Sequence, residues 1–388
     1  MRNVIILGLI SFFADVGTEM VYPIVPLYLT AVFGATPALV GIIEGTAESL
    51  ASLLRVFSGY MTDKYQNRKK VAFAGYSMGI IYKLLLIIAG SWTAVFGARA
   101  VDRIGKGIRT APRDVMVSQA AEKGKLGKAF GIHKALDMAG SALGILIAYL
   151  ILRESSGNID YRRIFLISMI PGILGLMLFF FVKESEQNNS EVTIEPFWKN
   201  IGKLDSQLRM YLVVVFMFTL GNSSNTFLLL RAKSVGFDDA GVIFMYFIYT
   251  ITASALSMPF GKMSDKAGRK KLLVSGYIVF AIVYLGFAVS LNKPFVALMF
   301  VMYGAYTAMI TGVERAFVSE ISPPELKGTM LGLHSTVAGI ALFPASVLAG
   351  QLWTSFGPEV PFVFGACMSL GAALILILFM KNGIYIED

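Results

Sequence analysis

The chain has 388 residues, 56% of them hydrophobic and only 15% charged, where a soluble protein carries about 25% charge. With a mean hydropathy of +0.67, it has too little polar surface to solvate a globule of this size. That excludes a soluble enzyme or binding domain and leaves a polytopic helical membrane protein. The single cysteine, Cys367, lies inside an apolar run, so no internal disulfide is available.

Turn signals and charge clusters cut the chain into twelve apolar segments. The first six lie near 3–33, 37–61, 71–90, 92–117, 129–152 and 164–182. The second six lie near 208–231, 239–261, 272–291, 294–319, 328–352 and 360–380. At about 1.5 Å rise per residue, each can cross a hydrocarbon core about 30 Å thick. The first segment carries Asp15 and Glu19 and has no clean cleavage site, so it reads as a retained span rather than a signal peptide.

Lysine and arginine in the connections set the orientation. Lys64, Arg68, Lys69, Lys70, Lys123, Lys125, Lys128, Lys183, Lys199, Lys203, Lys262, Lys266, Arg269, Lys270 and Lys271 all fall on one side, which places that side and both termini in the cytoplasm. This distribution accounts for much of the net charge of +9 without nucleic acid, which is not expected as a partner. The polar stretch 183–207 reads as a cytoplasmic linker. Within it Phe197, Ile201 and Leu204 share a helical face beside Trp198, the pattern of a short interfacial helix.

The two halves repeat each other at a fixed displacement. Gly34 matches Gly236 and Asp63 matches Asp265, 202 residues on. Lys70 then matches Lys271, Gly75-Tyr76 matches Gly276-Tyr277, and His133 matches His334, 201 residues on; one extra residue near 64–68 explains the change. The reading is an all-α membrane protein of twelve transmembrane helices in two pseudo-symmetric six-helix bundles. The first spans 1–182, the linker 183–207 and the second 208–388, an arrangement typical of alternating-access transporters.

Three motifs carry a family resemblance. Gly261-Lys-Met-Ser-Asp265-Lys-Ala-Gly268-Arg269-Lys270 resembles the loop signature G-x-L-a-D-r-x-G-r-k of the major facilitator superfamily, and Gly59-Tyr-Met-Thr-Asp63-Lys is its first copy. The resemblance implies a cytoplasmic gate formed by Asp63, Arg68, Asp265 and Arg269. Gly17-Thr-Glu-Met-Val-Tyr-Pro23-Ile-Val-Pro26 is similar to the helix 1 pattern of twelve-helix drug/proton antiporters, and Arg103-Ile-Gly-Lys106-Gly107-Ile-Arg109-Thr-Ala111 to their helix 4 pattern. Gly131, Gly140 and Gly144 keep the helix 5 antiporter spacing, with Ile145 where that pattern has proline and Tyr149 where it has glycine.

Ionisable residues inside spans are functional candidates by default. Asp15 and Glu19, and Glu44 and Glu48, are each one helical turn apart. Arg99, Asp102, Arg103 and Lys106 share the fourth segment, and Asp137 follows His133 by one turn in the fifth. The repeat supplies a control. The counterparts of Asp15, Glu19, Glu44, Glu48, Arg99, Asp102, Arg103, Lys106 and Asp137 are Met217, Gly221, Tyr246, Thr250, Phe300, Tyr303, Gly304, Thr307 and Ala338. The same architecture is therefore built once without these charges.

Asp15, Glu19, Glu48, Arg103 and Asp137 are the expected proton-coupling residues, since burial and neighbouring charge decide when a carboxylate releases its proton. Glu44, Arg99, Asp102 and Lys106, with Asn222, Asn225, Tyr246, Tyr249, Tyr303 and Tyr306 of the second half, are the expected substrate contacts. Arg113 with Asp114, and Glu314 with Arg315, read as structural pairs. The expected function is proton-coupled export of small amphipathic compounds by a monomer in a prokaryotic cytoplasmic membrane, with protons and lipid as its other partners. No cofactor, resident metal site or enzymatic activity is expected. The alternative cargo is a small organic anion, for the cations of the fourth segment, or a divalent metal, for the acidic residues.

Overall fold

The computed structural model describes residues 2–65, 68–122, 126–154, 159–182, 204, 206–290, 292–322 and 327–380, with backbone alone at 56, 57, 59–65, 126–128, 265 and 327–329. Apart from Leu204, the interfacial helix expected in the linker falls on residues outside this set.

Among the described residues the chain is helical throughout, with no strand. The helices are α1 (Arg2–Glu19), α2 (Val25–Phe33), α3 (Pro37–Tyr65), α4 (Arg68–Ile88), α5 (Trp92–Ala120), α6 (Leu126–Glu154), α7 (Tyr161–Leu178), α8 (Ser206–Gly221), α9 (Thr226–Ser234), α10 (Asp239–Ala267), α11 (Arg269–Val289), α12 (Lys293–Ile310), α13 (Val313–Ile321), α14 (Lys327–Phe356) and α15 (Val360–Phe379). Among the described residues ten stretches are long and apolar enough to cross a membrane. The remaining long segments are α1 with α2, which carries Asp15 and Glu19, and α5, which carries the buried Arg99, Asp102, Arg103 and Arg109.

Three segments expected to be continuous are broken. In 3–33 the chain turns between Glu19 and Val25, where Pro23 lacks a backbone donor and Pro26 opens α2. In 208–231 the break falls on Asn222–Asn225, whose side chains compete with helical hydrogen bonds; Ser224 Oγ accepts from Thr226 N at 3.3 Å. In 294–319 it falls on Thr311 and Gly312, where Gly312 takes a φ of +89°. Elsewhere the boundaries follow the capping residues. Ser91 accepts from Ala94 N, Asp160 from Arg163 N and Asn292 from Phe295 N. The repeated glycines Gly34 and Gly236 both have positive φ just beyond a helix end, at +61° and +97°.

Packing divides the chain into two units. Unit 1 comprises Met1–Ala35, Leu50–Ile194 and Asp239–Phe244; unit 2 comprises Thr36–Ser49, Glu195–Asp238 and Met245–Asp388. In unit 1, α1 lies against α6 and α7, and α4 against α5. Close approach depends on glycine. A side chain at Gly140 or Gly144 of α6 would run into the backbone of Phe12 or Val16 in α1, and Gly75 and Gly105 face each other across α4 and α5. The start of α10 joins this unit through Tyr161 Oη, which donates to Asp239 Oδ2 at 3.2 Å. In unit 2, α8 packs on α14 and α15, and α11 on α12 and α15. The first half of α3 belongs here: Ala38 N donates to Thr354 Oγ1 at 3.1 Å and Ser49 Oγ donates to Gly339 O at 2.7 Å.

Candidate functional site

Unit 1 collects most of the intramembrane charge on four helices. Near one end, α1 contributes Ser11 and Asp15, α4 Tyr76, α5 Arg109 and Arg113, and α6 His133 and Asp137. The Asp15 and Asp137 carboxyls lie within hydrogen-bonding reach of each other. Arg109 Nη2 approaches Asp15 Oδ1 at 3.9 Å, and Arg113 Nη1 approaches Asp137 Oδ1 at 4.0 Å. Arg109 also lies over the Tyr76 ring, 4.3 Å from its centre. Ser11 Oγ links Tyr76 Oη at 2.9 Å with His133 Nε2 at 3.1 Å. Two carboxyls opposed by two guanidinium groups can hold a proton or release it as the cations move. Asp137 also accepts from the exposed Lys134 at 3.1 Å.

A second group lies around the break between α1 and α2. Asp102 is 3.3 Å from Arg103 Nε and 3.7 Å from Arg99 Nη1. The two guanidiniums lie 5.2 and 5.3 Å from the centre of the Tyr22 ring, which the break presents to them. All three charged residues are buried. Lys106 and Glu19 are partly buried in the same unit.

Glu44 and Glu48 are on the half of α3 that groups with unit 2, and Glu44 is fully buried there. The acidic set expected in the first bundle is thus divided between the units, because contacts follow the two halves of a 29-residue helix rather than its place in the chain.

The expected polar-aromatic wall assembles within unit 2, at the break between α8 and α9. Tyr303 Oη donates to Asn225 Oδ1 at 2.8 Å, and Asn222 Nδ2 donates to Tyr306 Oη at 3.1 Å. Asn225 Nδ2 reaches Tyr249 Oη at 3.5 Å. Ring centres run Tyr246 to Tyr249 to Tyr303 to Tyr306 at 5.4, 5.1 and 5.3 Å. Amide, hydroxyl and ring faces together can receive a flat, amphipathic solute.

The residues expected to form a cytoplasmic gate are described only in part. The side chains of Asp63 and Asp265 are outside the described set, and Arg68 opens α4. Arg269 Nη1 donates to Glu320 Oε2 at 3.0 Å and Ala316 O at 3.3 Å. Next to Arg68 and Arg269 in the chain, Lys69 Nζ donates to Val182 O at 2.7 Å, and its repeat counterpart Lys270 donates to Met380 O in the same way. These two lysines, which the charge pattern assigned only to topology, each tie a helix start to the end of the last segment of its half.

Sequence reasoning missed Lys83. It is 2% exposed at the centre of α4, donates to Ser168 O at 3.0 Å, and has no carboxylate at ion-pair distance among the described residues. Its repeat counterpart is Tyr284, so the comparison that singled out Asp102 would have found it. The pairs expected to be structural behave differently from each other. Arg113 does hold Asp114, at 2.9 Å, but Glu314 turns to Tyr277 and His334 while Arg315 is exposed. Among the described residues no three carboxylate, imidazole or thiol groups converge as a metal site.

A family model described as Major Facilitator Superfamily matches residues 7–230 and 210–383. The chain is 37% identical to an uncharacterized MFS-type transporter of Methanocaldococcus jannaschii over 97% of its length and 94% of the relative. It is 26% identical to the fosmidomycin resistance protein of Escherichia coli, over 95% of this chain and 85% of that one. Its fold is similar to the crystal structure of the nucleoside transporter NupG, with a TM-score of 0.83 and 14% identity, covering 98% of this chain and all of that one.

Proposed function

The chain belongs to the major facilitator superfamily, so it is a multi-pass membrane transporter of the secondary, alternating-access type rather than an enzyme, and on that premise we propose that it exports small amphipathic compounds in exchange for protons. The observation that carries the proposal is the Asp15–Asp137 carboxyl pair set against Arg109 and Arg113. Two carboxyls this close cannot both ionise without compensation. When the guanidiniums hold them, both can be anionic; when a cation withdraws, the pair keeps a proton. Glu19 and Arg103, in the same unit, and Glu48, in unit 2, are the further candidates for proton coupling. Asn222, Asn225, Tyr246, Tyr249, Tyr303 and Tyr306 take the apolar and hydrogen-bonding parts of the solute, and the resistance named in the Escherichia coli relative suits an exporter. Twelve spans, cytoplasmic termini and a prokaryotic cytoplasmic membrane belong to this reading, with α1–α2 and α5 counted as spans beside the ten apolar stretches.

The test begins with thermal stabilisation of the purified protein by a panel of drugs, organic anions and metal ions. The best stabiliser is then followed in liposomes under a pH gradient. Asp15→Asn and Asp137→Asn each remove the response to the gradient while exchange without a gradient continues. Full coupling in both variants would rule the assignment out.

A second cargo reading, an organic anion, is favoured by Lys83. Its ammonium is buried with a backbone carbonyl as hydrogen-bond partner and no carboxylate at ion-pair distance among the described residues, on a helix packed against the arginine-bearing α5, and an anionic solute would neutralise it. The divalent-metal alternative has no converging ligand set among the described residues.

A further inference from the structure

Unit 2 contains a buried ionisable cluster that the proton pathway above does not use. The break at Thr311 and Gly312 starts α13, and Glu314 falls in its first turn, where the helix dipole favours negative charge. Its carboxylate turns inward. Tyr277 Oη of α11 donates to Oε1 at 3.4 Å, and His334 Nε2 of α14 lies 3.8 Å from Oε2. The His334 ring stacks on Tyr211 of α8, with centres 6.1 Å apart and planes at 15°. His334 is 8% exposed and Tyr211 is 0% exposed, and neither His334 Nε2 nor Tyr211 Oη has a hydrogen-bond partner among the described residues. The remaining groups acting on the cluster are Tyr306 of α12 and the exposed Arg315.

The repeat shows what is special here. Unit 1 builds the same position from Tyr76 and His133, the counterparts of Tyr277 and His334, but places Arg113 where unit 2 has Glu314. Arg113 is permanently charged and paired with Asp114, and Ser11 Oγ occupies His133 Nε2. In unit 2 the cation is replaced by an anion. Ser11 has Val213 as its counterpart, which supplies no hydroxyl to the imidazole. With Glu314 ionised and His334 neutral the pair carries one negative charge in a half-buried place, offset in part by the Tyr277 hydroxyl, the start of α13 and the exposed Arg315, and the remaining desolvation is costly. One proton, on either partner, brings the pair to zero net charge.

We propose that Glu314 and His334 form a second proton-binding site, in unit 2, which takes up a single proton shared between carboxylate and imidazole. The site is independent of the Asp15–Asp137 pair and of the cargo. A helix broken at Gly312 beside it gives the proton a mechanical element to act on, since α13 can reorient about a glycine that already has a positive φ.

The chain has only two histidines, which makes a direct test practical. Full-length protein labelled with 15N-histidine is placed in lipid nanodiscs, and the ring nitrogens are followed by NMR from about pH 4.5 to 8.5. His133→Gln assigns the His334 signals. Infrared difference spectra over the same range report the protonated carboxyl. Uptake of one proton is expected at the imidazole, the carboxyl or both. Glu314→Gln removes the carboxyl band and moves the His334 midpoint by about one pH unit or more, while the His133 signals stay in place and report an intact fold. If neither group changes over this range, or if Glu314→Gln leaves the His334 titration where it was, the site is a static hydrogen-bond cluster and the proposal fails. Because the readout needs no substrate, its failure is distinct from failure of the coupling assigned to Asp15 and Asp137.

Discussion

Lys83 has an ammonium 2% exposed at mid-helix, answered by one backbone carbonyl. An unpaired buried charge costs several kcal/mol, so fold stability alone selects against it. Lys83→Met, which keeps the volume and removes the charge, is therefore expected to raise the melting temperature by a few degrees, at about 2–4 °C per kcal/mol for a chain of roughly 150–250 residues and less for a longer one. The same variant is expected to lose stabilisation by organic anions; an unchanged anion response would confine Lys83 to the fold. In unit 2, Tyr303→Phe takes the donor from Asn225 Oδ1 and is expected to cost about 1–3 kcal/mol, seen as a lower melting temperature and weaker binding of the solute that stabilises the wild type. Tyr303 was legible because the repeat sets it beside the charged Asp102, and the same comparison would have reached Lys83, which was missed. The partners that such side chains meet were not legible. Asp102 meets Arg103 and Arg99 through side-chain torsions, and Glu314 turns from its neighbour Arg315 toward a helix more than a dozen residues away.

Among the helices, small residues decide which pairs touch. Gly140 and Gly144, legible as a spaced motif in the fifth segment, are where α6 meets the backbone of α1 and so hold Asp15 close to Asp137. Gly140→Val is expected to cost about 1–3 kcal/mol by overpacking, measured as a fall in melting temperature. Gly79→Ala, where nothing lies within 4 Å of the added carbon, is expected to be neutral or to stabilise by up to about 1 kcal/mol. The helix breaks were harder to read. Apolar length announces a span, but it does not distinguish a straight helix from two pieces joined by a turn, because both satisfy their backbone groups. At 311–312 the break depends on one glycine with positive φ, and Gly312→Ala is expected to destabilise by about 1–2 kcal/mol.

For the molecule as a whole, the charge distribution predicts a topology that reporter fusions can check. A green fluorescent protein joined after Asp388 should fluoresce and a phosphatase there should be inactive, with the reverse for a reporter inserted between Gly90 and Ser91; the opposite pattern would invert the orientation. By itself the sequence determined that this is a helical membrane protein whose two halves repeat each other, and that the charge inside its apolar segments is concentrated in the first half. Those properties follow from composition, apolar length and residue-by-residue correspondence, all of which are local or additive along the chain. Only the tertiary structure decided that the first half of α3, with Glu44 and Glu48, groups with unit 2, that Asp15 finds Asp137, and that Glu314 pairs with His334. These depend on how glycines let helices approach and on where helices break, and pairing across helices distant in sequence leaves no periodic signal in a single chain.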